Sequence, residues 1–206
     1  MSAADWDARY DAAELVWSAG PNRWVEELLT DREPGRAVDI AAGEGRNALW
    51  LAGRGWEVLA TDYSAAGLER ARQRAAELPE ETRSRLRLLV ADATEPVPRL
   101  ETQLSYDVAL LCYLQLPATQ MTRALGHAVD ALAPGGELVV VGHALANLTG
   151  GTGGPSDPDV LYDSRTVVDT LADLGLRVGE AAIRERPVEG AERPALDTVV
   201  TAEVPR

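Results

Sequence analysis

Residues 38–48, VDIAAGEGRNA, decide the fold of this chain. The stretch begins as a short apolar run, turns at glycines 43 and 45, and continues into residues typical of a helix. Glycine lets a backbone approach a ligand closely, and the first turn of a helix offers unpaired N–H groups. A carboxylate at Asp39 is unsuited to a phosphate but is tolerated beside a cationic ligand. The stretch predicts a strand, a ligand-binding turn and a helix, and a turn that serves only packing is the alternative.

On both sides of this turn, short apolar runs alternate with amphipathic stretches, a pattern typical of βαβ units around a parallel sheet. Two final apolar stretches, residues 176–183 and 195–204, are joined by a short polar connection without a helix, which predicts an antiparallel hairpin at a sheet edge. Ser64 is the expected N-cap of the helix at 65–78, and Pro134 is expected to close the helix at 118–132. The other predicted strands are residues 37–41, 57–61, 86–91, 106–111 and 137–141, and the other predicted helices are 22–29, 47–53 and 164–174.

Two further acids follow predicted strands. Asp62 comes about twenty residues after the turn, where a carboxylate accepts hydrogen bonds from ribose hydroxyls in dinucleotide-binding folds. Asp92 ends the next strand, where an acid accepts from an exocyclic amine of adenine. Each residue has a simpler interpretation, a helix cap for Asp62 and a surface turn for Asp92. Because ligands bind at the carboxyl ends of strands in open α/β sheets, three acids at three such ends favour a binding site.

The stretch YDVALLCYLQLP, residues 106–117, also ends at this predicted edge. Cys112, Tyr113 and Gln115 are therefore expected to line the pocket near the reacting centre. Cys112 is interpreted as a small buried apolar residue rather than a nucleophile, because no base is paired with it in the sequence.

Composition narrows the class of protein. The 206 residues carry a formal net charge of −13, so neither nucleic acid nor an anionic membrane is an expected partner. One cysteine and two histidines predict that there is no metal site. The length suits one domain over residues 1–206, and the absence of a long apolar run or a signal peptide predicts a cytoplasmic protein.

These motifs together resemble class I S-adenosylmethionine-dependent methyltransferases. VDIAAGEGRNALWLAGRGWEVLATDYS is similar to motif I and the ribose-binding acid of that family, and ADAT, YDVALLCYLQLP and LAPGGELVVVG follow as its later motifs do. The resemblance is strongest to the small single-domain branch of tellurite-resistance and thiopurine-type methyltransferases. It implies an α/β fold, a Rossmann-like doubly wound seven-stranded sheet that is mostly parallel with an antiparallel C-terminal hairpin strand. The glycine turn of this sequence departs from the pattern G-x-G-x-x-G of nicotinamide-binding domains, because Ala41 occupies the first glycine position.

The resemblance also implies which residues bind S-adenosyl-L-methionine. Asp39 would lie near the ammonium group, Asp62 would hold the ribose, and Tyr63 would pack on adenine. The N-terminal segment, residues 1–30, would cover the cofactor, or its aromatic residues would simply pack in the core. The residues implied in cofactor binding are Asp39, Ala41, Gly43, Gly45, Arg46, Asn47 and Cys112 at the methionine end, Asp62, Tyr63, Asp92 and Ala93 at the adenosine end, and Tyr10 and Trp17 in the covering segment.

The acceptor side rests on fewer residues. Methyl transfer needs alignment of the nucleophile, and a hydroxyl or amine also needs a general base, whereas a thiolate or selenium anion does not. His143 is the candidate base, with Tyr113 and Gln115 beside the substrate, although a hydrogen bond to the adjoining loop is an alternative role for His143. The glycine-rich loop at 143–162 is predicted to be a substrate lid, with a plain surface connection as the alternative.

The functional expectation is a methyltransferase acting on a small molecule with an oxygen, sulfur, nitrogen, metalloid or selenium acceptor. The alternatives are an S-adenosylmethionine-binding regulatory protein without turnover and a nicotinamide-dependent oxidoreductase. The sequence does not determine the oligomeric state.

Overall fold

The computed structural model describes residues 2–12, 20–98 and 105–206. The strands of this part of the chain form one sheet in the order β3-β2-β1-β4-β5-β7-β6. The first five in this order run parallel, and β7 runs antiparallel to both β5 and β6. The predicted doubly wound sheet with an antiparallel C-terminal hairpin is therefore confirmed. The strands are β1 (Arg36–Ile40), β2 (Glu57–Asp62), β3 (Leu86–Val90), β4 (Tyr106–Cys112), β5 (Leu132–His143), β6 (Arg177–Arg186) and β7 (Ala195–Glu203).

Helices connect these strands, and side-chain caps set where several of them begin. Asn22 accepts hydrogen bonds from the backbone of Trp24 and Val25, and Ser64 accepts from Gly67, as predicted for an N-cap. The described helices are α1 (Ala3–Ala12), α2 (Arg23–Leu29), α3 (Arg46–Gly53), α4 (Ala65–Ala76), α5 (Glu80–Ser84), α6 (Ala118–Asp130), α7 (Asn147–Gly150) and α8 (Ser164–Asp173). The sequence did not predict α5 or α7 because neither is long enough to show an apolar period.

The sheet has an apolar core on each face. Leu110 and Leu111 are neighbours in β4, and both are fully buried. Because strand side chains alternate, Leu111 packs in the cluster beneath α6 and α8, whereas Leu110 packs in the cluster beneath α2 and α3. Coverage on both faces explains why the central strands are continuous apolar runs rather than alternating ones.

The predicted end of α6 and the predicted start of β5 are wrong. The helix expected over 118–132 ends at Asp130, and the strand expected over 137–141 begins at Leu132, so Pro134 lies inside β5 rather than closing the helix. The register with β4 is irregular between Tyr106 and Val108. A strand irregularity of this kind accommodates proline and glycine, which sequence rules treat as breaks.

None of the helices in residues 2–12, 20–98 and 105–206 is long and apolar enough to cross a membrane.

Candidate functional site

The turn after β1 has a backbone that most side chains disfavour. Ala41, Gly43 and Gly45 have φ angles of 60°, 56° and 72°, in the left-handed region. This conformation costs a residue with a side chain about 1–2 kcal/mol, so Ala41 is strained where glycine would not be. Gly45 also has no room for a side chain, because a Cβ there would lie 2.9 Å from Cβ of Ala71 in α4. The turn thus passes closely between the sheet edge and α4.

Asp39 places a buried carboxylate behind this turn. The residue is 1% exposed, and its Oδ2 accepts a 3.2 Å hydrogen bond from the backbone of Ala48. Its Oδ1 is buried and has no hydrogen-bond partner among the described residues. Burial raises the pKa of Asp39 to about 7, even though the Ala48 N–H and the Arg46 charge oppose the shift. A buried acceptor oxygen without a donor is costly, and a cationic ligand would satisfy it.

Asp62 ends β2 beside the same turn. Its Oδ2 accepts from the backbone N–H of Gly43 and its Oδ1 from that of Ser64, each at 2.8 Å. Burial raises the pKa of Asp62, and these hydrogen bonds partly oppose the rise. The backbone N–H of Tyr63 also donates to this carboxylate. A carboxylate offers about four acceptor positions, so one hydroxyl group of a ligand can still be accommodated. The next residue, Tyr63, is partly exposed at the sheet edge.

Asp92 and Ala93 follow the edge strand β3. Asp92 is exposed, and its Oδ1 accepts from both the backbone N–H and the hydroxyl of Thr94, each at 2.8 Å. The local turn foreseen as the simpler interpretation is therefore present. Ala93 is partly buried and packs against the core cluster beneath α6 and α8. The carboxyl edge of the sheet thus carries a third acid, but a more exposed one than Asp39 or Asp62.

Three more residues of the predicted methionine end lie close together. Asn47 is buried, and its Oδ1 accepts a 2.8 Å hydrogen bond from the backbone of Asn22, which ties α3 to the start of α2. Burial raises the pKa of the Cys112 thiol to about 11, which disfavours a thiolate nucleophile. The Arg46 guanidinium lies 5.7 Å from the ring centroid of Tyr113, at the end of β4.

The first helix packs on the N-terminus of α4. Tyr10 is 3% exposed, and its ring packs closely on Gly67, where a Cβ would lie 2.9 Å from the nearest ring carbon. Asp7 accepts a 2.5 Å hydrogen bond from the hydroxyl of Ser64 and a 3.1 Å bond from the backbone of Ala66. This brings α1 next to Asp62. Trp17, the other predicted covering residue, lies outside the described residues.

A cluster that the sequence analysis missed lies at the other end of this edge. Asp197 of β7 is fully buried, and its Oδ2 accepts hydrogen bonds from Trp24 Nε1 at 2.9 Å, from the Tyr113 hydroxyl at 2.8 Å and from Arg186 Nε at 2.7 Å. Its Oδ1 lies 3.4 Å from Nδ1 of His143. We call these five residues the Asp197 cluster. Burial raises the pKa of Tyr113 and lowers that of His143, although the Asp197 charge opposes the second shift.

The topology explains how this cluster forms. His143 ends β5, and because β7 runs antiparallel, its first residues lie at the same edge, where Asp197 pairs directly with His143. The signal in the sequence was an aspartate within the apolar run of β7, but its partners are separated along the chain by up to 173 residues. Gln115, predicted beside the substrate, donates from Nε2 to the Val160 carbonyl at 3.5 Å.

Hydrogen bonds of Asn147 hold the glycine-rich loop next to His143. Asn147 is 4% exposed, and its Oδ1 accepts from the backbone of Leu196 at 2.7 Å while its Nδ2 donates to the carbonyl of Gly153 at 2.8 Å. A Cβ on Gly154 would lie 2.7 Å from the His143 ring. The loop therefore lies directly on the imidazole. The described ranges contain no group of acidic, histidine and cysteine side chains suited to a metal ion.

Comparison with known proteins gives one family match and many similar structures. Residues 38–138 match a family described as a methyltransferase domain. This range contains the turn, the three strand-end acids and β4. No curated protein sequence matches the chain.

Three solved structures illustrate the shared fold. The glycopeptide N-methyltransferase MtfA complexed with S-adenosyl-L-methionine is 21% identical, with a TM-score of 0.69 over 92% of this chain and 89% of that one. A SAM-dependent methyltransferase from Methanosarcina mazei is 17% identical, with a TM-score of 0.68 over 90% and 99%. Magnesium protoporphyrin IX methyltransferase from Synechocystis PCC 6803 with bound SAH is 16% identical, with a TM-score of 0.66 over 96% and 83%. The chain thus has the fold of S-adenosylmethionine-dependent methyltransferases, and together with the match at residues 38–138 this supports an enzyme of that type.

Proposed function

We propose that this protein transfers a methyl group from S-adenosyl-L-methionine to a small-molecule acceptor. The observation that carries the proposal is the Oδ1 of Asp39, a buried acceptor without a donor among the described residues, behind a left-handed glycine turn. The ammonium group of the cofactor is a donor of the right charge for this oxygen. A phosphate-bearing dinucleotide would instead bring negative charge towards it.

The cofactor fits the rest of the carboxyl edge as well. Asp62 has one acceptor position left for a ribose hydroxyl after its bonds to Gly43, Ser64 and Tyr63. Tyr63 and Ala93 would pack on adenine, and Asp92 would accept from its amine. The remaining proposed contacts, at the methionine end, are Ala41, Gly45, Arg46, Asn47 and the Cys112 backbone.

Two segments are proposed to cover the site. The packing of Tyr10 and Asp7 against α4 supports the N-terminal segment as a cover over the adenosine end. The contact of Gly154 with His143 supports the loop at 143–162 as a lid over the acceptor. Both would belong to one domain that spans residues 1–206.

The acceptor is proposed to lie between Tyr113, Gln115 and His143. S-adenosylmethionine, when bound, supplies a methyl carbon that its sulfonium makes electrophilic. The chain then has to align the acceptor with that carbon and exclude water. The names of two similar proteins, acting on a glycopeptide and on a porphyrin, support a small-molecule acceptor class. Kinship with the tellurite-resistance and thiopurine-type branch stays a prediction.

Calorimetric titration tests the cofactor. We expect S-adenosylmethionine and S-adenosylhomocysteine to bind and NAD not to bind. Binding of NAD alone would refute the proposal in favour of an oxidoreductase.

A methyl-transfer assay tests whether the protein is an enzyme. Transfer of a radiolabelled methyl group to a panel of phenols, amines, thiols and metalloid anions is expected for at least one acceptor class. Cofactor binding without transfer to any member would support a regulatory role.

A further inference from the structure

The carboxylate of Asp197 has its two oxygens in different surroundings. Oδ2 accepts three hydrogen bonds, from Trp24, Tyr113 and Arg186. Oδ1 is buried, makes no hydrogen bond within the described ranges, and faces Nδ1 of His143 at 3.4 Å. The three donors fix the orientation of the carboxylate, so that one oxygen is left for the imidazole.

The imidazole is held on its remaining sides. Its ring centroid lies 4.8 Å from that of Tyr113, and a Cβ on Gly154 would lie 2.7 Å from Cγ and Cδ2 and 3.0 Å from Nδ1 of the ring. Its Nδ1 is buried, which leaves Nε2 as the other ring nitrogen. The side chain keeps 11% of its surface exposed. Nε2 is therefore the ring nitrogen that an incoming molecule can reach.

The group that faces one ring nitrogen of a histidine determines which of the two nitrogens carries the proton, and the charge of a carboxylate favours the nearer one. With Nδ1 facing a carboxylate oxygen, the proton belongs on Nδ1, and Nε2 carries the lone pair. The charged and titratable groups facing the ring are Asp197 from β7, Arg186 from β6 and Tyr113, the residue after β4. Burial lowers the pKa of His143, which agrees with a neutral imidazole near neutral pH.

We propose that Asp197 is a positioning residue that holds His143 as an Nδ1-protonated general base for an acceptor hydroxyl or amine. The inference rests on the proposed function and narrows its acceptor class. In the step, the acceptor oxygen or nitrogen forms a bond to the methyl carbon as the carbon–sulfur bond breaks and its electron pair returns to sulfur. The acceptor proton moves to Nε2 of His143. A thiolate or selenium anion would need no such base.

The tautomer of His143 is the first readout. The chain has only two histidines, His127 and His143, so ¹⁵N spectra of histidine-labelled protein contain two imidazoles, and His127→Gln assigns them. We expect His143 to be the Nδ1–H tautomer at pH 8 in the wild-type protein and a mixture in Asp197→Asn. An Nε2–H tautomer in the wild type, or the same tautomer in both proteins, would overturn the proposal. The wild-type spectrum needs no acceptor, and its assignment needs no change at Asp197 or His143.

Kinetics provide the second readout, with a phenol, its aniline analogue and its thiol analogue as acceptors. We expect His143→Gln to lower kcat for the phenol or aniline by roughly 10²-fold or more with little change in KM. Asp197→Asn should lower kcat less and shift its pH profile, and Asp197→Glu should restore part of the rate. Turnover of the thiol alone, at a rate unaffected by His143→Gln, would refute the acceptor class. If the wild-type protein did not bind S-adenosylhomocysteine, that result would instead refute the proposed function.

Discussion

At the scale of single residues, Asp39 combines a cost in stability with a proposed role in binding. Its pKa of about 7 exceeds its ordinary value of 3.8 because burial disfavours the charged form. Because the pKa of Asp39 is higher in the folded state than in the unfolded state, its protonated form favours folding. This contribution to the free energy of unfolding is complete below the unfolded pKa of 3.8 and is lost as the pH rises through 7. The loss amounts to about 4 kcal/mol above pH 7.

Asp39→Asn should therefore stabilise the ligand-free protein by a few kcal/mol at pH 8 and hardly at all at pH 4. Urea unfolding at the two pH values measures the effect. The same change at both pH values would contradict the argument from burial.

We expect Asp62 to contribute more to cofactor affinity than to the stability of the fold. Asp62→Ala is expected to raise the dissociation constant of S-adenosylhomocysteine at least about tenfold, or roughly 1.4 kcal/mol, measured by calorimetry. Asp107→Ala is the matched control, because Asp107 also accepts a backbone hydrogen bond, from Arg36 at 2.7 Å, but at the opposite edge of the sheet. Equal loss of affinity in both variants would point to a folding effect and count against ribose binding.

At the scale of elements, Asp7 joins α1 to α4. Because Asp7→Ala removes the bonds to Ser64 and Ala66, tryptic cleavage after Arg9 should become several-fold faster, since cleavage needs local opening of α1. Mass spectrometry follows the fragment, and Asp11→Ala, which changes an exposed acid near the end of α1, should leave the rate unchanged. S-adenosylhomocysteine should slow cleavage of the wild-type protein if α1 covers the cofactor. No protection by the ligand would count against that cover.

The glycine-rich loop contains two neighbouring glycines that can serve as variant and control. Gly153 and Gly154 both have left-handed φ angles, 69° and 77°, but only a Cβ on Gly154 would meet His143. Alanine at either position should cost about 1 kcal/mol of backbone strain. Gly154→Ala should cost more and should shift the ¹⁵N signals of His143, whereas Gly153→Ala should not shift them. Equal spectra would show that the loop does not pack on the imidazole in solution.

At the scale of the whole molecule, stability should depend on both faces of the sheet. Leu110→Ala and Leu111→Ala each remove a fully buried side chain, one from each core cluster. Each should lower the free energy of unfolding by about 3 kcal/mol, whereas Leu89→Ala, at a residue 38% exposed, should cost less than about 1 kcal/mol. Urea unfolding measures all three. A small effect at either buried position would mean that one face lacks a tight core.

The sequence by itself determined the sheet, its antiparallel hairpin and the acids near the ends of β1, β2 and β3, because apolar runs, turn residues and strand-end carboxylates are local patterns. It misplaced the start of β5, because a register irregularity absorbs Pro134 and Gly136 inside a strand. Only the tertiary structure revealed the Asp197 cluster, since its residues come from five separate parts of the chain. These are Trp24 in α2, Tyr113 after β4, His143 in β5, Arg186 in β6 and Asp197 in β7. Their contacts arise from the antiparallel insertion of β7 between β5 and β6, which brings its first residues to the carboxyl edge. Strand order depends on long-range packing and pairing, which local sequence patterns do not determine.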